Sequence, residues 1–147
     1  MNKAGILSII GAIGAFIANM FGGWDAALTT LLIFMAIDYL LGLIVAAVFH
    51  KSNKSENGAL DSRASLKGLL KKGMILLIVL VAAQLDIVIG SNFIRDGVVI
   101  AFIANETISI IENAGIMGVP IPAVIINAID ILQRKSEKDI ETGDKDA

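Results

Sequence analysis

Ala26–Phe49 reads AALTTLLIFMAIDYLLGLIVAAVF, 24 residues interrupted only by Thr29, Thr30 and Asp38. At about 1.5 Å per residue, a helix over this run crosses a hydrocarbon core of about 30 Å. It holds no proline, and an isolated strand would leave backbone N–H and C=O groups unpaired in lipid, so the run reads as a transmembrane helix. Two more runs share the pattern. Ala4–Phe21 is 18 residues broken by Ser8 and Asn19, and Gly73–Gly90 is 18 residues containing Gln84 and Asp86.

A fourth segment, Gly97–Met117, opens fully apolar and then carries Asn105, Glu106, Thr107, Ser109, Glu112 and Asn113. It suits the membrane only as a helix that turns one polar face to protein or water; the competing reading is a shallow surface segment. Pro120 and Pro122 end it, since proline cannot continue a helix and biases its predecessor toward extended geometry. Beyond them, 123–132 has an amphipathic period, with Asn127, Asp130 and Arg134 on one face and Val124, Ala128 and Leu132 on the other. Residues 133–147 are charged, mixed in sign and without apolar period, which predicts a disordered tail.

Composition agrees with this partition. Hydrophobic residues make up 56% of the 147-residue chain and charged ones 18%, with a mean hydropathy of +0.79. Of the 26 charged residues, 22 lie outside the four runs, which is the segregation a bilayer imposes. The expectation is an all-α integral membrane protein with three to four transmembrane helices at about 4–21, 26–49, 73–90 and 97–117. These form a single membrane domain, 1–132, with its short amphipathic segment and charged C-terminal tail. An uncleaved first helix is expected in preference to a signal peptide, because no clear small-x-small cleavage site precedes Gly22.

Charge sets the expected orientation. The segment His50–Lys72 carries Lys51, Lys54, Arg63, Lys67, Lys71 and Lys72 against Glu56 and Asp61, a net +4. The positive-inside rule places the loop 50–72 in the cytoplasm, and the same lysines suit contact with anionic lipid. The turns Gly22–Asp25 and Ser91–Asp96 are near neutral and are expected outside; this reading favours four spans.

Few residues carry chemistry. Asp38 falls near the middle of its run, where an ionised aspartate costs about 2.5–3.5 kcal/mol on insertion scales. No lysine or arginine lies inside any run, so Asp38 is expected to be protonated, hydrogen-bonded or facing water. Thr30, Asp38, Gly42 and Ala46 share a stripe, and Asn105, Glu106, Ser109, Glu112 and Asn113 form one wide polar face. These are the pore or assembly candidates. Asp86 and Arg95 flank the second outer turn and are expected to form a hairpin ion pair. The spacing Gly11-x-x-x-Ala15 suits close helix packing, although glycine enrichment of membrane helices accounts for it equally well.

Several classes drop out. The chain has no cysteine and one histidine, His50, so it has no disulfide framework and no histidine-rich metal site. No nucleophile elbow or paired soluble acids point to catalysis, and no cofactor is implied. The basic loop lacks the interleaved aromatics of a nucleic-acid surface. Gly68 and Gly73 have the spacing of a phosphate loop, but Met74 and Ile75 stand where lysine and serine or threonine are required.

Taken in order, the motifs carry a resemblance. They run Asp38-Tyr-Leu-Leu-Gly42, then Lys67-Gly-Leu-Leu-Lys71-Lys72, Leu85-Asp86-Ile87, Asn105-Glu106-Thr107-Ile108-Ser109-Ile110, Glu112-Asn113 and Gly118-Val-Pro120-Ile-Pro122. Over roughly residues 30–135 the chain resembles the toxin-secretion and phage-lysis holin family, which includes the holin-like protein of the clostridial large-toxin locus. The resemblance implies a protein of the bacterial cytoplasmic membrane that forms homo-oligomers and opens a lesion through which endolysin or a toxin leaves. It also implies three spans, where the charge pattern favours four. Two other classes share the physical features: a small dimeric ion or drug transporter with an intramembrane coupling acid, and a noncatalytic membrane adaptor.

Overall fold

The computed structural model describes residues 2–146. It consists of five helices: α1 (Lys3–Met20), α2 (Ala26–Ile44), α3 (Ser62–Ile89), α4 (Ile94–Ile116) and α5 (Ala123–Asp146). A single π turn, Val45–Phe49, continues α2 to His50, whose left-handed backbone (φ 51°) ends it. No strand occurs among the described residues.

Three helix starts are capped by side chains that satisfy N–H groups otherwise left without partners. Asn2 Oδ1 accepts from Gly5 N at 2.8 Å, Asp25 Oδ1 from Leu28 N at 2.9 Å, and Asp61 Oδ1 from Arg63 N at 2.8 Å. α3 stops at Gly90 (φ 77°), and the α1–α2 turn is made by Gly22 (φ 80°) and Gly23 (φ 103°). A Cβ at any of these glycines would be strained.

Two boundaries differ from the expected ones. α3 begins at Ser62, so the second half of the basic segment is helix. Polarity moved that stretch off the apolar run, but Arg, Lys and Leu are good helix formers, and Asp61 supplies the cap. The tail expected to be disordered is instead the second half of α5, helical to Asp146. Lys, Glu, Gln and Arg again favour helix there, and the segment has something to pack on. Ile129 and Ser136 are buried and Leu132 lies against the core, so the packed face is Ile129, Leu132, Ser136. The expected apolar face was Val124, Ala128, Leu132, and Val124 stands 71% exposed.

α2, α3 and α4 form a three-helix bundle around Leu28, Leu31 and Met35 of α2, Val79 of α3, and Val99 and Ile103 of α4. α5 lies along α4 in the opposite sense, with Ser136 Oγ donating to Gly97 O at 2.9 Å. α1 stands apart. None of its residues is buried, and it touches the bundle at its foot, where Gln84 Nε2 donates to Met20 O at 2.9 Å.

Outside the bundle core the surface is apolar: Leu7, Phe16, Leu40, Val48, Leu69, Val81 and Val88 are all exposed. Contiguous apolar surface on that scale is a liability in water and is what lipid requires. Three helices are long and apolar enough to cross a membrane by length and composition, namely Lys3–Met20, Ala26–Phe49 and Ser62–Ile89. α4 is not among them.

Candidate functional site

At the centre of the bundle, one ammonium joins three helices. Lys72 Nζ of α3 donates to Asp38 Oδ2 of α2 at 2.8 Å and to Glu106 Oε2 of α4 at 2.6 Å. The other oxygen of Asp38 accepts from Asn113 Nδ2 at 3.0 Å. The side chains of Lys72, Asp38 and Glu106 are only 12%, 5% and 4% exposed. This corrects the expectation that Asp38 has no cation from its own chain. Its place at the border of the apolar run assigns Lys72 to the loop by charge, yet it occupies the third turn of α3. A signal was present in the sequence: Lys72, Val79 and Asp86 repeat every seven residues, which puts Lys72 on the buried face of α3.

The arrangement neutralises only part of the charge, since two carboxylates share one ammonium. The desolvation of three ions opposes the gain from pairing, so the cluster contributes less to stability than its short bonds suggest, and removing one partner is costly. Among the described residues, every buried side-chain nitrogen and oxygen has a hydrogen-bond partner.

The wide polar face expected on α4 is divided. Glu106 turns inward to Lys72 and Asn113 to Asp38, and Asn105, Glu106 and Ser109 line a cavity of about 470 Å³ between α2 and α3 that reaches from the charged centre to the connecting loop. Gly42 lines the same cavity, and Glu112 is exposed outside it. Lys51, Lys54, Arg63, Lys67 and Lys71 are exposed on the loop and the first turns of α3. Of the six basic residues read as one topological signal, Lys72 alone is drawn into the bundle.

The other end of the bundle holds a second cluster, and it replaces the expected Asp86–Arg95 side-chain pair. Asp86 accepts from Arg95 N at 2.9 Å, Ile94 N at 3.1 Å and Ser91 Oγ at 2.6 Å, so its carboxylate caps the start of α4. The Arg95 guanidinium turns away and grips the α1–α2 turn. It donates to both oxygens of Asp25 (2.5 and 3.2 Å), to Phe21 O at 2.7 Å and to Gly23 O at 3.1 Å, and it meets Asp96 at 3.2 Å. Asp25 was read as a turn residue, and nothing in its spacing to Arg95 marks the pair.

The hydrogen bond from Arg95 holds the Asp25 carboxyl below its ordinary value of 3.8. A depressed pKa contributes stability above the unfolded value that disappears as the pH falls through the folded value. Asp25→Asn is therefore expected to lower the unfolding midpoint near neutral pH, with the difference shrinking below about 3.8 and vanishing once the pH has fallen through the lower folded value. The Asp25 side chain is 48% exposed, so the difference is small. Paired thermal melts in detergent across that range measure it.

The two clusters also fix the direction of α4. Arg95 meets Asp25 near the start of α2, and Asn113 meets Asp38 further along, so α4 runs parallel to α2 and antiparallel to α3. Apolar helices joined by internal ion pairs beneath a lipid-compatible surface define a multi-helical integral membrane protein. Residues 15–134 match the bacteriophage holin family, and the chain belongs to it. The match begins inside α1, upstream of the region that carries the sequence resemblance. An uncharacterised protein of Listeria monocytogenes is 38% identical, covering 98% of this chain and 95% of its own length. The uncharacterised 14.9 kDa protein in the nagH 3′ region of Clostridium perfringens is 40% identical over 90% of this chain and 93% of its own. A protein described as a probable holin of Bacillus phage phi105 is 31% identical over 82% and 84%. No solved structure matches.

Proposed function

We propose that the protein is a noncatalytic holin that oligomerises in the bacterial cytoplasmic membrane and permeabilises it, so that an endolysin or a toxin leaves the cell. The observation that carries this reading is the charged centre Asp38–Lys72–Glu106, set deep in an otherwise apolar bundle and joined to a polar cavity. A bundle that only had to sit in lipid is better served by apolar packing at that position. Buried ions that link three helices give an element that separates once water reaches it, and α4 then has Asn105 and Ser109 already turned to a polar space. Family membership and the phi105 relative support the same assignment.

The test is inducible expression with a cytoplasmic endolysin. Lysis follows after a delay, with abrupt loss of membrane potential. The protein alone collapses the potential and kills without dissolving the wall. Endolysin that stays inside while the protein accumulates to high level ends the reading; substrate-dependent flux without collapse identifies a transporter, and neither effect an adaptor.

For topology, we propose four spans, α1 to α4, with the loop after α2 cytoplasmic and the turns near Gly22 and Ser91 outside. The net +4 of 50–72 supports the orientation. The spanning of α4 is supported by its alignment with α2 and by Glu106 and Asn113, which are spent on Lys72 and Asp38 and not on lipid. With no native cysteine, single cysteines at Asn53, Asn92 and Glu137 can be probed with an impermeant thiol reagent. Asn92→Cys is expected to label from outside intact cells. External labelling of Asn53→Cys reverses the orientation. Glu137, which the packing of Ser136 on Gly97 sets at the outer end of α4, labels from outside if α5 keeps that packing in the bilayer and stays unlabelled if α5 parts from α4 and remains inside.

A further inference from the structure

The cavity between α2 and α3 has a lining that the proposed pore does not require. Its floor is the charged centre, where Lys72 is spent on Asp38 and Glu106. Its mouth lies at the connecting loop, where Lys54, Lys67 and Lys71 line it. Among the described residues, none of these three makes an ion pair or a side-chain hydrogen bond. The Lys54 ammonium is folded inward over α2, about 4.0 Å from where a Cβ on Gly42 would stand. The floor holds one carboxylate more than Lys72 balances, which draws this ammonium inward, yet its donors make no hydrogen bond there and stay open to an anion at the mouth. One acid shares the mouth, Asp61, and its Oδ1 is committed to the cap of α3.

Small residues make the space. Gly42 of α2 and Ala46 of the π turn line it with Ala64 and Gly68 of α3, and a Cβ at Gly68 would meet the Tyr39 ring at 3.8 Å. The volume of about 470 Å³ lies within the range of small-ligand sites, about 300–1,000 Å³. Outside the mouth, α3 shows Leu66, Leu69, Leu70 and Met74, an apolar strip against which an acyl chain can lie while its headgroup enters the cavity.

We infer that this cavity binds a phosphate-bearing anion through Lys54, Lys67 and Lys71, as the headgroup of an anionic phospholipid or as free phosphate. A compact tetrahedral anion suits three ammonium groups, each a mobile point charge with three donors. A zwitterionic headgroup brings its own cation into the mouth and is disfavoured. The site stands or falls independently of whether the chain permeabilises membranes.

The full-length protein in nonionic detergent is melted with added short-chain phosphatidylglycerol, phosphatidylcholine or inorganic phosphate, at matched ionic strength. Phosphatidylglycerol is expected to raise the unfolding midpoint by a few degrees, and phosphatidylcholine to leave it unchanged. A shift with phosphatidylglycerol alone assigns the lipid headgroup. A shift that inorganic phosphate also produces assigns the anion itself. Lys54→Gln/Lys71→Gln removes the shift, Lys135→Gln, outside the cavity, retains it, and Gly42→Leu removes it by filling the space with every lysine in place. Equal shifts with both lipids overturn the inference. So does a shift that survives Lys54→Gln/Lys71→Gln, or the absence of any shift.

Discussion

Lys72→Met is expected to destabilise the protein by about 3–5 kcal/mol, the cost of stripping a buried pair of its counter-charge. Methionine keeps most of the side-chain volume, so the loss comes from charge and not from a void. Asp38 and Glu106, both nearly inaccessible, then face each other with no cation between them. One carboxyl escapes by taking up a proton, which limits the penalty to the cost of holding it neutral. The triple variant Asp38→Asn/Lys72→Met/Glu106→Gln removes all three charges and keeps the shapes, and is expected to recover most of the lost stability. Asn113 can still hydrogen-bond the amide at position 38. Equilibrium unfolding in mixed micelles measures both. If Lys72→Met unfolds with the parent midpoint, the ammonium is not holding the helices together and the centre needs another account. In cells, the same substitution is expected to advance the onset of permeabilisation, because the element that ties α3 to α2 and α4 is gone.

The fold was legible where the signal was long and one-dimensional. The runs beginning at Ala4, Ala26 and Gly73 became α1, α2 and α3 because apolar length alone decides a helix in lipid. Errors gathered where polarity stood in for structure. Ser62–Lys72 reads as loop by charge, yet it is helix by propensity and by the Asp61 cap. The same confusion of charged with unstructured misread residues 133–146, which continue α5. At the site, Asp38, Glu106 and Asn113 were singled out because polar groups at mid-run are expensive, and they do meet. Their cation was missed because charge counting treats a lysine at the end of an apolar run as solvated. A helix carries such a residue into the bundle whenever its register points that way. Asp86 and Arg95 were found for a sound reason, their position at one turn, but sequence distance favoured each other as partners. The third party, Asp25, arrives from far along the chain.

Arg95 carries the second large expectation. Its guanidinium is 6% exposed on the side chain, and it supplies donors to Asp25, Asp96 and two backbone carbonyls of the α1–α2 turn. Arg95→Met keeps the stem beside Gly22 but removes every donor. Phe21 O and Gly23 O lose part-buried hydrogen bonds that water can partly replace, each worth about 0.5–1.5 kcal/mol. Asp25 and Asp96 are near half exposed and recover water, so they add little. A loss of about 1–3 kcal/mol follows, most of it from the two carbonyls. The substitution also has a local signature that Lys72→Met lacks. α1 is tethered to the bundle at its foot by Arg95 and by Gln84, so Arg95→Met is expected to free α1 while leaving α2, α3 and α4 associated. A cysteine at Trp24, exposed in the parent turn, gives little contrast. A disulfide engineered between the foot of α1 and α3, at Met20 and Gln84, does: it forms readily in the parent chain and slowly in the Arg95→Met background. Equal cross-linking rates in the two backgrounds mean that packing alone holds the foot of α1, and the guanidinium is then a cap for the turn and nothing more.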